Sequence, residues 1–266
     1  MKNHKIIYQV DAFTASPFHG NPAGVCILDK KPLQKWMQNI AMEMNLSETA
    51  FVFPGNKGLN IRFYTPEAEI NLCGHATLSS GHIMFETGFA GKREAITLYS
   101  KAGKLSLSYS GGLIKMNFPS YPPEPVKTPR DMDEIIGIKP EEVYRTAHGW
   151  TLALLKSEDE VRNIKPDYDR MRNSEFGELI VTAPSKDRNF DFCVRCFVPV
   201  LGINEDPVTG SAHCSLAPFW HAKTGKSEFI SHQVSKREGI MKVTLKNNRV
   251  EISGKAKTIF KADLFV

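Results

Sequence analysis

A chain of 266 residues with 41% hydrophobic and 24% charged residues can bury one large core or two of ordinary size, and its composition is globular. The 34 Lys and Arg exceed the 29 Asp and Glu, but they are scattered, as in GKREA, KTPRD and SKREG, which excludes a nucleic-acid track and leaves a surface mildly favourable to small anions. No uncharged apolar run reaches membrane-spanning length, so no membrane association is expected.

The start, MKNHKIIYQVDAF, lacks the apolar stretch and small-residue cleavage site of a secretory leader, and a cytoplasmic location is expected. The first helix is predicted over PLQKWMQNIAMEM, where Leu33, Trp36, Met37, Ile40, Ala41 and Met44 share one face and Asn45 supplies a stop. Strands follow at ETAFVFP and NIRFYTP. Next comes a turn, CGHA, opening a helix of about a dozen residues that ends at the Gly of ETG. Alternating strands AITLYS, KLSLSYS and LIKMNF close this half. The proline-rich segment 117–131 reads as a linker. Beyond it, strands are predicted at ELIVTAP, NFDFCVRCFVPV, EFISHQV, IMKVTLK and RVEIS.

The two halves repeat. IRFYTPEAEIN (61–71) lies on VRCFVPVLGIN (194–204) at an offset of 133, pairing Arg62 with Arg195, Pro66 with Pro199, Ile70 with Ile203 and Asn71 with Asn204. Cys73 then falls on Asp206, and an insertion, PVT, moves the offset to 136, so that Gly74 meets Gly210 and His75 meets Ser211. Upstream, ETAFVFP meets ELIVTAP at 130, which pairs Glu48 with Glu178. Two similar lobes imply a cleft, the usual place for a small-molecule site. The expected lobes are 1–118, which the last strand, 257–266, could complete, and 119–256.

A helix N-terminus presents free N–H groups and partial positive charge, and glycine there lets an anion approach the backbone. If the duplication brings CGHA and TGSA to one ligand, they could hold a carboxylate and stabilise an enolate. Cys73, His75, Asp206 and Ser211 can all move protons or donate hydrogen bonds. Cys73 alone is more often a small buried hydrophobe, and Asp206 before Pro207 suits a turn. A Glu in an enclosed cleft should have its pKa raised by desolvation. Residue pattern leaves Glu48 and Glu178 equally eligible. Five cysteines, Cys26, Cys73, Cys193, Cys196 and Cys214, suit reduced thiols, and the CVRC pair lies in a strand with no second pair to complete a zinc site. No metal and no cofactor is expected.

With these residues in place, the chain resembles the phenazine-biosynthesis (PhzF-like) family of the wider diaminopimelate epimerase-like group. The resemblance is carried by VDAFTASPFHGNPAGVCIL, MNLSETAFV, IRFYTPEAEINLCGHATLSSG, INEDPVTGSAHC and SKREGIMKVTLKNNRVEISG, which span nearly the whole chain. It implies an α+β fold of two pseudo-symmetric lobes, each a mixed or antiparallel sheet wrapped around a central helix, with the active site in the cleft between them, and a homodimer. In the family's phenazine enzyme a glutamate shuttles a proton between ring carbons of a dihydro-hydroxyanthranilate. That position matches Glu48, the assisting histidine and aspartate match His75 and Asp206, and the carboxylate-binding turn matches Gly210 and Ser211, with Gly74 and Cys73 beside them. The expected function is a cofactor-independent isomerase acting on a small anionic carboxylate. Alternatives are a cysteine-assisted amino-acid epimerase or racemase and a non-catalytic carboxylate-binding protein. A symmetric two-thiol racemase is disfavoured by Asp206.

Overall fold

The structure, a computed structural model, describes residues 5–266. The first four residues, where the leader reading begins, lie outside it. The chain forms two compact units, one from the sequence up to Asn117 together with Ser253–Val266, the other from Phe118–Ile252. The fold is α+β, a mixed sheet with few helices in each unit.

The first unit contains β1 (Lys5–Ala12), β2 (Asn21–Ile27), α1 (Gln34–Met44), β3 (Glu48–Gly55), β4 (Gly58–Tyr64), β5 (Glu69–Ile70), α2 (Gly74–Glu86), β6 (Ile96–Ser100), β7 (Gly103–Ser110) and β8 (Leu113–Pro119). The second contains β9 (Glu124–Val126), α3 (Met132–Ile136), β10 (Glu142–Arg145), β11 (Thr151–Leu154), α4 (Glu158–Asn163), α5 (Tyr168–Arg172), β12 (Leu179–Pro184), β13 (Phe192–Val198), β14 (Ile203–Asp206), α6 (His213–Thr224), β15 (Glu228–Gln233), β16 (Gly239–Lys246) and β17 (Arg249–Gly254). The last strand, β18 (Ala256–Leu264), pairs antiparallel with β1 and so completes the first unit.

Strand ladders show the repeat directly. In the first unit β2 runs parallel to β3, β3 antiparallel to β4, and β4 parallel to β6. The second unit repeats this with β11, β12, β13 and β15. Ala50 pairs with Phe63 and Ile180 with Cys196, at the offsets 130 and 133 read from sequence. Leu59 pairs with Leu98 and Phe192 with Ser231, both displaced by 133.

One part of the sequence alignment is corrected. Phe63 pairs with Ile70, and its counterpart Cys196 pairs with Asp206, so the offset is already 136 at β14. The extra residues therefore lie in the turn of 3-10 helix at Pro199–Leu201 and in Gly202, not in PVT. An ion pair marks the same register: Arg62 Nε lies 3.6 Å from Glu69 Oε1, and Arg195 Nε lies 2.7 Å from Glu205 Oε1. Asp206 is thus the counterpart of Ile70, and Thr209 that of Cys73. Sequence matching put the insertion late because Ile203 and Asn204 repeat Ile70 and Asn71 by identity alone.

Helix α1 buries Met37, Ile40 and Ala41 against Phe51, Phe53 and Tyr64 of the sheet. Asn45 stops it in the left-handed conformation (φ 50°), its N–H donating to Ala41 O at 3.1 Å. Leu33 is the exception to the expected apolar face: it precedes the helix in extended conformation and is exposed. Helix α2 is buried along most of its length, packing against β1, β2, β3, β7 and β18, which is why it carries no one-sided apolar stripe. The second unit's core gathers Ile135, Val143, Phe176, Val181 and Phe197 around the short helices α3 to α5. The expected linker is only partly a linker, since β8 runs to Pro119 and β9 pairs with β10. Pro125 is tolerated there because β9 is a three-residue strand at the ladder's margin.

Candidate functional site

In the first unit, the turn after α1 delivers Ser47 and then Glu48, the first residue of β3, which pairs in parallel with Ala23. The start of α2 delivers Cys73 as the N-cap and His75 in the first turn. The Cys73 carbonyl accepts from Thr77 N at 3.1 Å and from Thr77 Oγ1 at 2.6 Å, which fixes the helix entry. Gly74 and His75 place their amides in the first turn, where helix geometry supplies no carbonyl partner.

Residues 27 apart in sequence thereby meet. Glu48 Oε2 lies 3.1 Å from His75 Nε2, and Ser47 Oγ lies 3.4 Å from the same nitrogen. Cys73 Sγ lies 3.4 Å from His75 Nδ1. Cys73 and His75 are buried, while the Glu48 side chain keeps 17% exposure.

The electrostatics reverse one expectation. Burial pushes the Glu48 carboxyl up, but the charge and N–H of His75, with the polar hydrogens of Ser47 and Cys73, outweigh it and hold Glu48 below its ordinary pKa. Desolvation, the sole effect considered from sequence, loses to a cation 3.1 Å away. For His75, burial pushes down, yet Cys73 and Glu48 raise it well above 6.5. Burial pushes the Cys73 thiol up to about 11, so it is neutral near neutral pH, and Glu48 is the partner whose charge retains the imidazolium. The resting pair is carboxylate and imidazolium, a base and an acid side by side.

In the second unit, Asp206 ends β14 and accepts from Thr209 Oγ1 at 2.6 Å. Gln233, fully buried at the end of β15, clamps this turn: its Nε2 donates to Asp206 O at 2.7 Å and its Oε1 accepts from Thr209 N at 2.8 Å. Gly210 and Ser211 lie in a turn of i→i+3 bonds, His213 N to Gly210 O and Cys214 N to Ser211 O, so α6 begins at His213, later than expected. Gly210 is buried and Ser211 exposed. His213 Nδ1 donates to Thr209 O at 3.0 Å, so Ser231 Oγ donates to Nε2 at 2.7 Å. Burial pushes His213 down to about 4, a neutral structural histidine.

Sequence reasoning thus singled out Glu48, Cys73 and His75, which the first unit brings together, and Asp206, Gly210 and Ser211, which share one turn region of the second. It missed Ser47, Thr209 and Gln233. Thr209 was legible through the repeat, as the counterpart of Cys73, once the insertion is placed correctly. Gln233 carries no local signal. Glu178 keeps a half-buried position, and burial, opposed by a hydrogen bond from Trp150, raises its pKa. Its repeat-mate for His75 is Ser211, so no imidazole belongs to it. All five cysteines are free and buried, including the CVRC pair in β13.

The site sets a carboxylate beside an imidazole at the N-terminus of α2 in a duplicated α+β fold, and comparison with known proteins gives the family. Residues 10–262 match the family model of the phenazine biosynthesis-like proteins, PhzC-PhzF. The chain belongs to this family. It is 42% identical over 98% of both chains to an uncharacterized isomerase of Halalkalibacterium halodurans. It superimposes with a TM-score of 0.94 on a PhzF-family phenazine biosynthesis protein from Enterococcus faecalis, at 36% identity and covering 99% of this chain and 100% of that one. A predicted epimerase from Pseudomonas aeruginosa shares the fold, with a TM-score of 0.73 at 20% identity over 98% and 99% of the two chains. The curated relative supports an isomerase type of function. Among the described residues no helix is long and apolar enough to cross a membrane.

Proposed function

We propose that this protein is a cofactor-independent isomerase that moves a proton between carbons of a small, cyclic or unsaturated carboxylate. The observation that carries the reading is the Glu48–His75 pair, 3.1 Å apart at the N-terminus of α2. A carboxylate already ionised at neutral pH can take a carbon-bound proton without first losing one. The C–H bond electrons become an enolate or extended double bond, and the same proton returns from Glu48 to another carbon, so the atoms balance within one substrate. His75, as imidazolium, supplies the positive charge that offsets the developing anion. The amides of Gly74 and His75 are assigned to the substrate carboxylate. Asp206, Gly210 and Ser211 are assigned the assisting and carboxylate-binding roles that the family resemblance implies, and Gln233 holds their turn. The assembly is proposed to be a cytoplasmic homodimer.

The cysteine-assisted epimerase reading ranks second because a thiol pushed up to about 11 is a poor base, and its repeat counterpart is the hydroxyl of Thr209. Incubation in deuterium oxide with a panel of small carboxylates, including a dihydro-hydroxyanthranilate, tests the main reading by NMR detection of carbon-bound deuterium. Exchange lost in Glu48→Gln and retained in Cys73→Ser supports it. Full turnover by Glu48→Gln refutes the assignment, exchange abolished by Cys73→Ser alone selects the thiol, and stoichiometric binding without exchange selects a binding protein.

A further inference from the structure

One hairpin loop of the second unit cradles the turn that begins at Asp206. β15 and β16 pair from Glu228 with Thr244 down to Gln233 with Gly239, so residues 234–238 form the loop between them. Gln233 bonds Asp206 O and Thr209 N. Ser235, a buried residue, donates its Oγ proton to Pro207 O at 2.6 Å. Gly239 packs so closely on Val208 that an added Cβ would lie 2.4 Å from Val208 Cγ2. Each residue from Asp206 to Thr209 therefore rests on this loop or on the pair that closes it.

The loop is itself fixed at Glu238, in the SKREG segment that sequence shows only as scattered charge. Glu238 holds the left-handed conformation at φ 51°, which costs a non-glycine residue and persists only where the surroundings impose it. Its N–H is shared between Ser235 O and Ser235 Oγ, each at 3.2 Å. Its carboxylate accepts from Arg162 Nη1 at 3.1 Å and stands 3.5 Å from His232 Nε2. Arg162 is anchored in turn: its Nε donates at 2.8 Å to buried Glu158, which also accepts from Ser185 Oγ and Lys186 N. The Arg162 and Glu238 side chains keep 33% and 43% exposure, and an ion pair that exposed adds little stability. What it fixes is the shape of the loop.

We propose that Glu238 is a positioning residue for the Asp206–Ser211 turn, locking the loop to α4 through Arg162 and so setting where Gly210 and Ser211 meet the substrate carboxylate. The link to substrate rests on the carboxylate-binding role assigned to that turn, whereas the clamp itself does not.

Glu238→Gly separates positioning from stability. Glycine takes the left-handed conformation without steric cost, so the variant should unfold at a urea midpoint close to that of the unaltered chain. In proton–nitrogen NMR spectra the amides of Thr209, Gly210 and Ser211 should shift and exchange with solvent at least about tenfold faster, while those of Gly74 and His75 stay in place. Glu238→Gln, which can still accept from Arg162, should restore much of the original pattern. Turn amides that superimpose on those of the unaltered chain overturn the proposal, as does an equal disturbance at Gly74 and His75. Where deuterium exchange identifies a substrate, Glu238→Gly should raise KM roughly fivefold or more at unchanged kcat, and Glu238→Gln should bring it back. Moved amides with an unchanged KM would keep the clamp and refute the carboxylate role of Gly210 and Ser211. If the unaltered chain exchanges no substrate, the isomerase reading falls and the amide spectra alone decide the clamp.

Discussion

At the residue scale, Glu48 and His75 titrate against each other, and stability should record it. Glu48 is depressed from an ordinary 4.5, so its contribution is present above that value and is lost as pH falls through the depressed pKa. His75 is raised from 6.5, so its contribution is complete below that value and is lost as pH rises through the raised pKa. Both contributions are therefore full between 4.5 and 6.5. His75→Gln strands a buried carboxylate and should cost about 3 kcal/mol in that window, narrowing at both extremes. Urea denaturation of the two proteins at a series of pH values measures the difference, and a gap independent of pH would contradict the ion pair. In the same variant the Glu48 carboxyl should rise, because desolvation is then opposed only by the polar hydrogens of Ser47 and Cys73, as carbon-13 carboxyl titration would report. With a substrate in hand, turnover should fall at low pH as Glu48 gains its proton and at high pH as His75 loses one.

At the element scale, one loop glycine and one buried glutamine make the packing testable. The β1–β2 loop bends on Gly20 at φ 69°, where an added Cβ would lie 2.1 Å from Ala12 O. Gly20→Ala should therefore destabilise by about 2 kcal/mol or more, from the left-handed penalty and the backbone clash together, measurable by thermal or urea unfolding. In the second unit, Gln233→Ala leaves Thr209 N–H and Asp206 C=O without their buried partner, and a loss of about 1–3 kcal/mol is expected. If Gln233 also positions the turn, carboxylate binding should weaken in a variant that still melts cooperatively. Unchanged stability would mean that the turn holds itself through Thr209 and Asp206.

At the scale of the whole molecule, the chain must finish before its first unit is complete. β18 pairs with β1 from Lys5 through Ala12, beside the buried Ile7 and Val10. Truncation after Gly254 removes that ladder, and the cost should be comparable with the entire margin of a folded domain, about 5–15 kcal/mol. Loss of cooperative unfolding and of near-ultraviolet circular dichroism is the expected result. A truncated chain that melted as sharply as the full one would show the strand to be ornamental. Sedimentation at twice 29.8 kDa would support the proposed homodimer.

Much of this was written locally. The strands that alternate, the helix whose apolar residues recur at 3.6, Asn45 as its stop and the duplicated segments were all legible, because period and turn chemistry act between near neighbours. Glu48, His75 and Asp206 were singled out by motif and family resemblance. The tertiary structure alone decided the rest. Ladder pairing placed the insertion at Pro199–Leu201, where residue identity had misplaced it. Gln233 reaches the Asp206 turn from 27 residues away, leaving no trace in local pattern. The charge on Glu48 followed the same logic: a sequence shows that a carboxyl will be buried, but whether it ionises depends on a cation a few ångströms away, and that distance exists only once the β3 start and the α2 N-terminus have been folded together.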